Sequence, residues 1–366
     1  MPRLAVRELK LSHFRSYKSA QIAPERSMIA LYGPNGAGKT NILEAVSMLS
    51  PGRGLRRAGS DDLMRQPENL GWKVSAVLES LSEVHEISTW AEPDTGRQVE
   101  IDGKKAAQVA LGQLARVVWL VPVMDRLWVE GAANRRRFLD RMVMSFHPSH
   151  ADATLIYEKS MRERNRLLKD QVRDPAWYDA LESQMAEAGG AISAHRVEVL
   201  ERLRTAQEGA ETAFPRADLS LVSADEYPPE QTADALREAF KSGRNRDMAA
   251  GRTLTGPHRV DLHAIFAAKG VDAKFCSTGE QKALLISLIL ANARALAEDF
   301  GAPPILLLDE VTAHLDANRR AALYDEIHSL NAQAWMTGTG AELFTELGDR
   351  AMMIEVTDQD GLSTFA

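Results

Sequence analysis

"MIALYGPNGAGKT", residues 28–40, decides how the rest of the chain is read. Met28 to Tyr32 form a short apolar run that ends at a glycine, the pattern of a buried strand. "GPNGAGKT" then matches the phosphate-loop pattern at every position. Gly33, Gly36 and Gly38 let the backbone turn so that N–H groups point inward, with Pro34, Asn35 and Ala37 between them. A helix expected from Lys39 to about Leu49 adds the partial positive charge of its N-terminus. Lys39 is placed to reach the β- and γ-phosphates of a nucleotide, Thr40 to take a Mg²⁺ position, and Asn41 to complete the loop. A chance glycine-rich turn would explain neither the strand before it nor the helix after it.

The second half of such a site is "ILLLDE", residues 305–310. Four apolar residues predict a central parallel strand. Asp309 at its carboxyl end would hold Mg²⁺ through water, and Glu310 is placed to polarise an attacking water as general base. The fold class that follows is α/β, with a mixed or parallel central sheet.

The chain has 366 residues, 45% hydrophobic and 26% charged, which allows a large core and two lobes. A single cysteine, Cys276, excludes an intrachain disulfide. With no signal-like apolar start, it predicts a reducing, cytoplasmic setting. No apolar run reaches the roughly 18 residues of a membrane span, so no membrane partner is expected. The net charge of −7 opposes nucleic acid globally, so any DNA contact needs a local basic patch.

Residues 3–11 read as an edge-type strand. Segments near 72–79, 84–90, 97–101 and 116–121 read as an antiparallel β patch, with turn signals at Asp94–Gly96 and Asp102–Gly103. From 134 to 248 strand signals vanish. There Tyr178, Leu181, Met185, Ala188, Ile192, His195 and Val199 alternate in spacings of three and four, a heptad stripe. An unbroken helix from Trp177 to Gln207 would span about 45 Å. It fits either a helical lobe or a short antiparallel arm. The expected division is 1–133 and 249–366 as one split domain, with a mainly helical insert at 134–248.

"CSTGEQKALL", residues 276–285, is a capping box before a helix, and its free N–H groups also suit an anion. With the phosphate loop and acidic strand complete, that anion is surplus within one subunit. The order of phosphate loop, Ser-x-Gly-Glu, acidic strand and "AHLD" (residues 313–316) resembles the ABC ATPase family. The resemblance implies two heads enclosing two ATP molecules. Ser277, Thr278, Gly279 and Glu280 of one head would cap the γ-phosphate held by the other, with Asp316 on the dimer loop. Cys276, Thr278 and Glu280 depart from the family's Leu-Ser-Gly-Gly-Gln. The family's switch histidine is replaced by Thr337 or Thr339, of which Thr339 is taken as the switch. "LVPVMD", residues 120–125, stands where a glutamine loop is expected.

Within that superfamily the chain resembles the SMC-like RecF family. "LKLSHFRSY" (9–17), "VPVMDRLWVEGAANRRRFLDRMV" (121–143) and "TGPHRVDL" (255–262) carry the likeness. It implies an ABC-type ATPase head with a helical second domain or short arm. It further implies a weak DNA-stimulated ATPase using ATP and Mg²⁺, forming an ATP-dependent homodimer on double-stranded or gapped DNA. RecR and RecO would be partners in loading RecA. The competing readings are the nucleotide-binding subunit of a membrane transporter and an SMC-type chromosome organiser. The large insert argues against the first, and the short heptad run against the second.

Candidate DNA contacts are Arg135, Arg136, Arg137 and Arg141 in "NRRRFLDR", and Arg56 and Arg57 with Arg53 after the phosphate-loop helix. "MRERNRLLK" adds Arg162, Arg164, Arg166 and Lys169, three of which share a helix face. Each group fits either phosphate contact or a solvated face. Arg15 fits either a brace on the nucleotide or a structural salt bridge, and His258 and Arg259 either a site loop or packing.

Overall fold

The computed structural model describes residues 3–223, 228, 231–311 and 315–365. Strands β1 (Leu4–Phe14) and β2 (Tyr17–Ile22) fold back through a turn at Arg15 and Ser16. β3 (Met28–Tyr32) leads into the loop and α1 (Lys39–Ser47). β4 (Trp72–Ser80), β5 (Glu83–Ala91), β6 (Gln98–Ile101), β7 (Lys104–Ala106), α2 (Leu111–Leu114) and β8 (Val117–Leu120) follow. Next come α3 (Ala132–Phe146), α4 (His150–Lys169), α5 (Pro175–Glu208), β9 (Ala217–Ser223) and α6 (Ala233–Ala250). β10 (Val260–Phe266), β11 (Val271–Asp272) and α7 (Thr278–Phe300) lead back to the chain's last third. It holds β12 (Ile305–Leu308), α8 (Ala317–Ser329), β13 (Ala334–Gly338), β14 (Ala351–Gln359) and β15 (Leu362–Phe365).

These elements form two compact units: Met1–Asp125 with Glu211–Phe214 and Leu285–Ala366, and Arg126–Ala210 with Pro215–Leu284. The first carries an antiparallel sheet in the order β2-β1-β4-β5-β6-β7 and a mixed sheet in the order β15-β14-β3-β13-β12-β8. In the mixed sheet β14, β3, β13, β12 and β8 run parallel, and only β15 is antiparallel to its neighbour. β3 and β12 are inner strands of this sheet, and all four residues of β12 are buried, as the apolar run of residues 305–308 requires.

Three strand expectations need correction. β1 is not an edge: it pairs with β4 on one side and β2 on the other. β2 reads YKSAQI, too polar for an apolar run, and so hid as the true edge. Residues 116–121 do not join the antiparallel patch. β8 pairs parallel with β12, because VVWL is buried throughout and suits a strand covered on both faces. β9 breaks the stretch in which no strand was expected and pairs along its length with β10.

In the second unit α5 runs unbroken for 34 residues, about 50 Å. Asp174 caps it by accepting from the Ala176 N–H at 3.0 Å, with Pro175 at the first position. Its heptad stripe does not pair with one helix alone. Met185, Ala188 and Ile192 share a core with Tyr157 of α4 and with Leu236 and Phe240 of α6. Gly189 makes room: a Cβ there would stand 2.8 Å from Leu236 Cδ1. With α3 packed on α4 and α5 as well, the result is a helical lobe rather than a short antiparallel arm. β9, β10 and β11 form a small antiparallel sheet in the same unit, which carries residues 260–272 past the expected boundary at 248.

Candidate functional site

β3 delivers the chain to Gly33 at φ 145°, where a Cβ would collide with the Val356 carbonyl oxygen of β14. Only glycine fits there. Lys39 is buried, and its Nζ donates to the Gly33 carbonyl at 2.7 Å and the Pro34 carbonyl at 2.8 Å. Burial lowers its pKa, while the negative charges of Glu310 and Asp309 act in the opposite direction. The loop closes with Ala37 N–H on Pro34 O and Asn41 N–H on Gly38 O.

β12 sets Asp309 opposite this loop. Its Oδ1 accepts from Thr40 Oγ1 at 2.8 Å and from Thr337 Oγ1 at 2.8 Å. Thr40 and Asp309 are hard oxygen donors already within hydrogen-bond reach, a pair that suits Mg²⁺ completed by phosphate oxygens and water. Glu310 follows in a left-handed conformation, φ 51°, that a non-glycine residue adopts only under constraint. The constraint is visible: its N–H donates to Thr337 Oγ1 at 2.9 Å.

One threonine thus serves both acids, and it is Thr337 rather than Thr339. β13 pairs Met336 with Leu308, so residue 337 stands level with the acidic pair, while Thr339 lies past the strand and is exposed. Asp316 caps α8 by accepting from the Arg319 N–H at 2.9 Å. Ala313 and His314 of "AHLD" lie outside the described residues. "LVPVMD" covers the end of β8 and the start of a 3₁₀ turn, Pro122–Arg126, with Val123 exposed.

Arg15 forms a salt bridge: its guanidinium grips the fully buried Glu44 of α1 at 2.8 and 2.9 Å. Arg56 reaches Asn41 Oδ1 at 2.8 Å and Glu44 at 3.4 Å, so it too is tied to α1. Three supporting residues escaped the sequence reading. Ser16 Oγ accepts from Asn41 Nδ2 at 2.7 Å and from Ser363 Oγ at 2.6 Å. Arg97 bonds the carbonyls of Met48 and Gly52, holding the loop that carries Arg53, Arg56 and Arg57. Arg97 and Ser363 lie far from any motif, and no local pattern marks them.

The segment at 276–280 belongs to the second unit. Its capping box forms: Glu280 Oε2 accepts from the Ser277 N–H and Oγ at 2.9 Å each, and the Glu280 N–H points to Ser277 Oγ at 3.4 Å. The hydrogen bond from Lys269, then those from Ser277, hold the Glu280 carboxyl down at about 2. Ser277, Thr278 and Gly279 are nevertheless exposed, so the tip of α7 stays open to solvent.

The proposed arginine clusters divide. Arg135 is a structural clamp, paired with Asp261 at 2.7 Å and bonded to the Leu127 and Trp128 carbonyls. Arg136 is partly buried, which lowers its pKa, and it bonds the Val260 carbonyl at 3.3 Å. Arg137 is exposed and bonds Asn134 Oδ1 at 2.9 Å, while Arg141 is half-buried. Arg164 leaves the basic face altogether. It is fully buried between Glu182 at 3.0 Å and Asp247 at 2.7 Å. Arg162, Arg166 and Lys169 remain exposed along α4. His258 packs, with Nδ1 bonded to the Tyr157 hydroxyl at 2.8 Å.

The RecF/RecN/SMC N-terminal domain family matches residues 5–364. A protein of Mesorhizobium japonicum described as DNA replication and repair protein RecF is 45% identical over 362 residues, 96% of both chains. A relative of the same description from Agrobacterium fabrum is 45% identical, covering 97% of each chain. Among solved structures, RecF-ATPrS, a recombination mediator protein in the RecFOR pathway, superposes with TM-score 0.84 at 22% identity, covering 100% of this chain and 98% of that one. An Smc head domain from Pyrococcus furiosus with an extended coiled coil, bound to the C-terminal domain of ScpA, shares the fold at TM-score 0.56 and 17% identity, covering 99% and 96%.

Proposed function

Since the chain belongs to the RecF/RecN/SMC N-terminal domain family, and within it to the RecF proteins of DNA replication and repair, we propose that it is an ATP-switched dimer that holds DNA. The observation that carries this reading is the convergence of Thr40 and Thr337 on one oxygen of Asp309, beside the phosphate loop and Glu310.

The loop N–H groups and the N-terminus of α1 take the β- and γ-phosphates of ATP. Lys39 exchanges its bonds to the Gly33 and Pro34 carbonyls for phosphate oxygens. Mg²⁺, held by Thr40 and Asp309, would offset the charge that develops on the transferred phosphoryl group. Glu310 orients the attacking water and takes its proton, with Thr337 fixing the backbone from which it projects. Ser277 and the exposed tip of α7 from a second copy cap the γ-phosphate, so ATP joins two heads and slow hydrolysis parts them. Asp316 lies at that junction. Exposed cations of α4 and of the Arg53–Arg57 loop contact duplex phosphates without regard to base. The RecFOR pathway named for the structural relative supports RecO and RecR as partners. RecA loading at gapped DNA, in the cytoplasm, is the outcome that the family resemblance alone implies.

Relatives of this identity and coverage carry the RecF description, which leaves the transporter-subunit reading without support. Among the described residues no helix is long and apolar enough to cross a membrane. Light scattering with ATP or ADP, with and without duplex DNA, tests the proposal. The mass should double with ATP alone, more readily on DNA, and not in Lys39→Met. A protein that stays monomeric with both ATP and DNA present refutes it.

A further inference from the structure

The last strand of the chain lies against the phosphate loop. Gly38 takes φ 105°, and a Cβ there would stand 2.8 Å from Ser16 Oγ and closer still to Ser363 Oγ. Ser363 is 1% exposed, on β15. Its Oγ donates to Ser16 Oγ at 2.6 Å, and its N–H to the Ser16 carbonyl at 3.1 Å. Ser16 Oγ in turn accepts from Asn41 Nδ2 at 2.7 Å, one residue past Thr40. Arg65 closes the ring by bonding the Ser16 and Gly361 carbonyls at 2.8 Å each. The Tyr17 hydroxyl adds a bond to the Gly38 carbonyl at 3.2 Å. The two glycines at the ends of the loop are therefore both pressed by the β14–β15 hairpin, Gly33 by Val356 and Gly38 by Ser363.

We propose that Ser363 is a positioning residue for nucleotide binding, acting through Ser16 and Asn41 to hold Gly38 in its left-handed conformation and so aim Lys39 and Thr40. The hydroxyl chain is short and buried at one end. Although Arg56 bonds Asn41 Oδ1 and Arg65 the Ser16 carbonyl, its own members, Ser363, Ser16 and Asn41, are uncharged, so it stiffens the loop without competing for phosphate. Preorganisation of this kind acts on affinity, because a loop already in its bound shape loses less entropy when ligand arrives. This inference rests on the phosphate-loop reading above.

The test is binding of a fluorescent ATP analogue with Mg²⁺ to the full chain, with the melting temperature measured without nucleotide. Wild type should bind and Lys39→Met should not; failure there would sink the phosphate-loop reading itself. Given that control, Ser363→Ala should weaken binding by roughly 3- to 10-fold, the effect of losing one hydrogen bond. Ser16→Ala should do the same, and the double variant should lose little more, since both residues belong to one chain of bonds. Thr364→Ala, an exposed neighbour on the same strand bonded to Thr357, should bind like wild type. Unchanged affinity in Ser363→Ala overturns the proposal. So do additive losses in the double variant, or an equal loss in Thr364→Ala, which would assign the effect to hairpin stability. If Ser363→Ala fails to fold, Ser16→Ala alone decides.

Discussion

Replacing Thr337 by Val removes one hydroxyl and leaves the packing of β13 nearly unchanged, since the two side chains have similar shape. The hydroxyl makes two bonds in a fully buried position: one to Asp309 Oδ1 at 2.8 Å, and one from the Glu310 N–H at 2.9 Å. A hydrogen bond to a charged group contributes about 1.5–3 kcal/mol and a neutral one about 1 kcal/mol. The sum, about 2.5–4 kcal/mol, sets a ceiling of roughly 70- to 900-fold on the rate if all of it acts in the transition state. Thr40 still holds Asp309, and part of the loss falls on the ground state, so the expected fall in kcat is roughly 10- to 100-fold. Affinity for ATP should change far less, because Lys39 and the loop are untouched. Steady-state phosphate release, with ATP binding measured separately, checks this, and Thr337→Ser should recover most of the rate. A Thr337→Val protein that hydrolyses ATP at the wild-type rate would remove the threonine from the machinery and leave the left-handed Glu310 unexplained.

Glu310→Gln should cut turnover by about 100-fold or more and trap an ATP-bound dimer; wild-type turnover would end its role as base. Ser277→Arg should keep ATP binding in the monomer yet block pairing of heads in light scattering, whereas loss of monomer binding would place the segment in cis. Reversal of Arg162, Arg166 and Lys169 to Glu should weaken duplex binding and reduce its salt slope by about three, and an unchanged slope would return that face of α4 to solvent. Glu280 has its carboxyl lowered to about 2, so its contribution is full above the ordinary value of 4.5 and fades as pH falls from there toward about 2. Thermal melting of wild type against Glu280→Gln should therefore show a gap at pH 6 that narrows below pH 4; a constant gap refutes the pairing.

Much of the head was readable because its signals are local. The phosphate loop and the strand ending in Asp309 each combine a buried run with a fixed punctuation, and α5 announces itself by an unbroken stripe. What stayed hidden depends on neighbours distant in sequence. Arg162 and Arg164 look alike in "MRERN", but two steps along a helix turn a side chain by about 200°. One meets water and the other meets Glu182 and Asp247. Arg135 finds Asp261 only because α3 packs beside β10. The choice between Thr337 and Thr339 needed the register of β13 on β12, which no single strand specifies. β2 carries too few apolar residues to show an alternating face, whereas β9 does alternate, at Ala217, Leu219 and Leu221, but is short and stands alone between long helical stretches.

β3 has β13 on one side and β14 on the other, Met28 pairing with Ala334 and with Ala351. Both neighbours leave the ribosome roughly 300 residues after it. At about 5–20 residues per second, translation leaves that apolar strand with two bare edges for roughly 15 to 60 seconds. The antiparallel sheet can assemble early from contiguous segments, but the nucleotide cradle closes only once β13 and β14 have been made. Until then the unpaired edges of "MIALY" are open to edge-to-edge association with other chains.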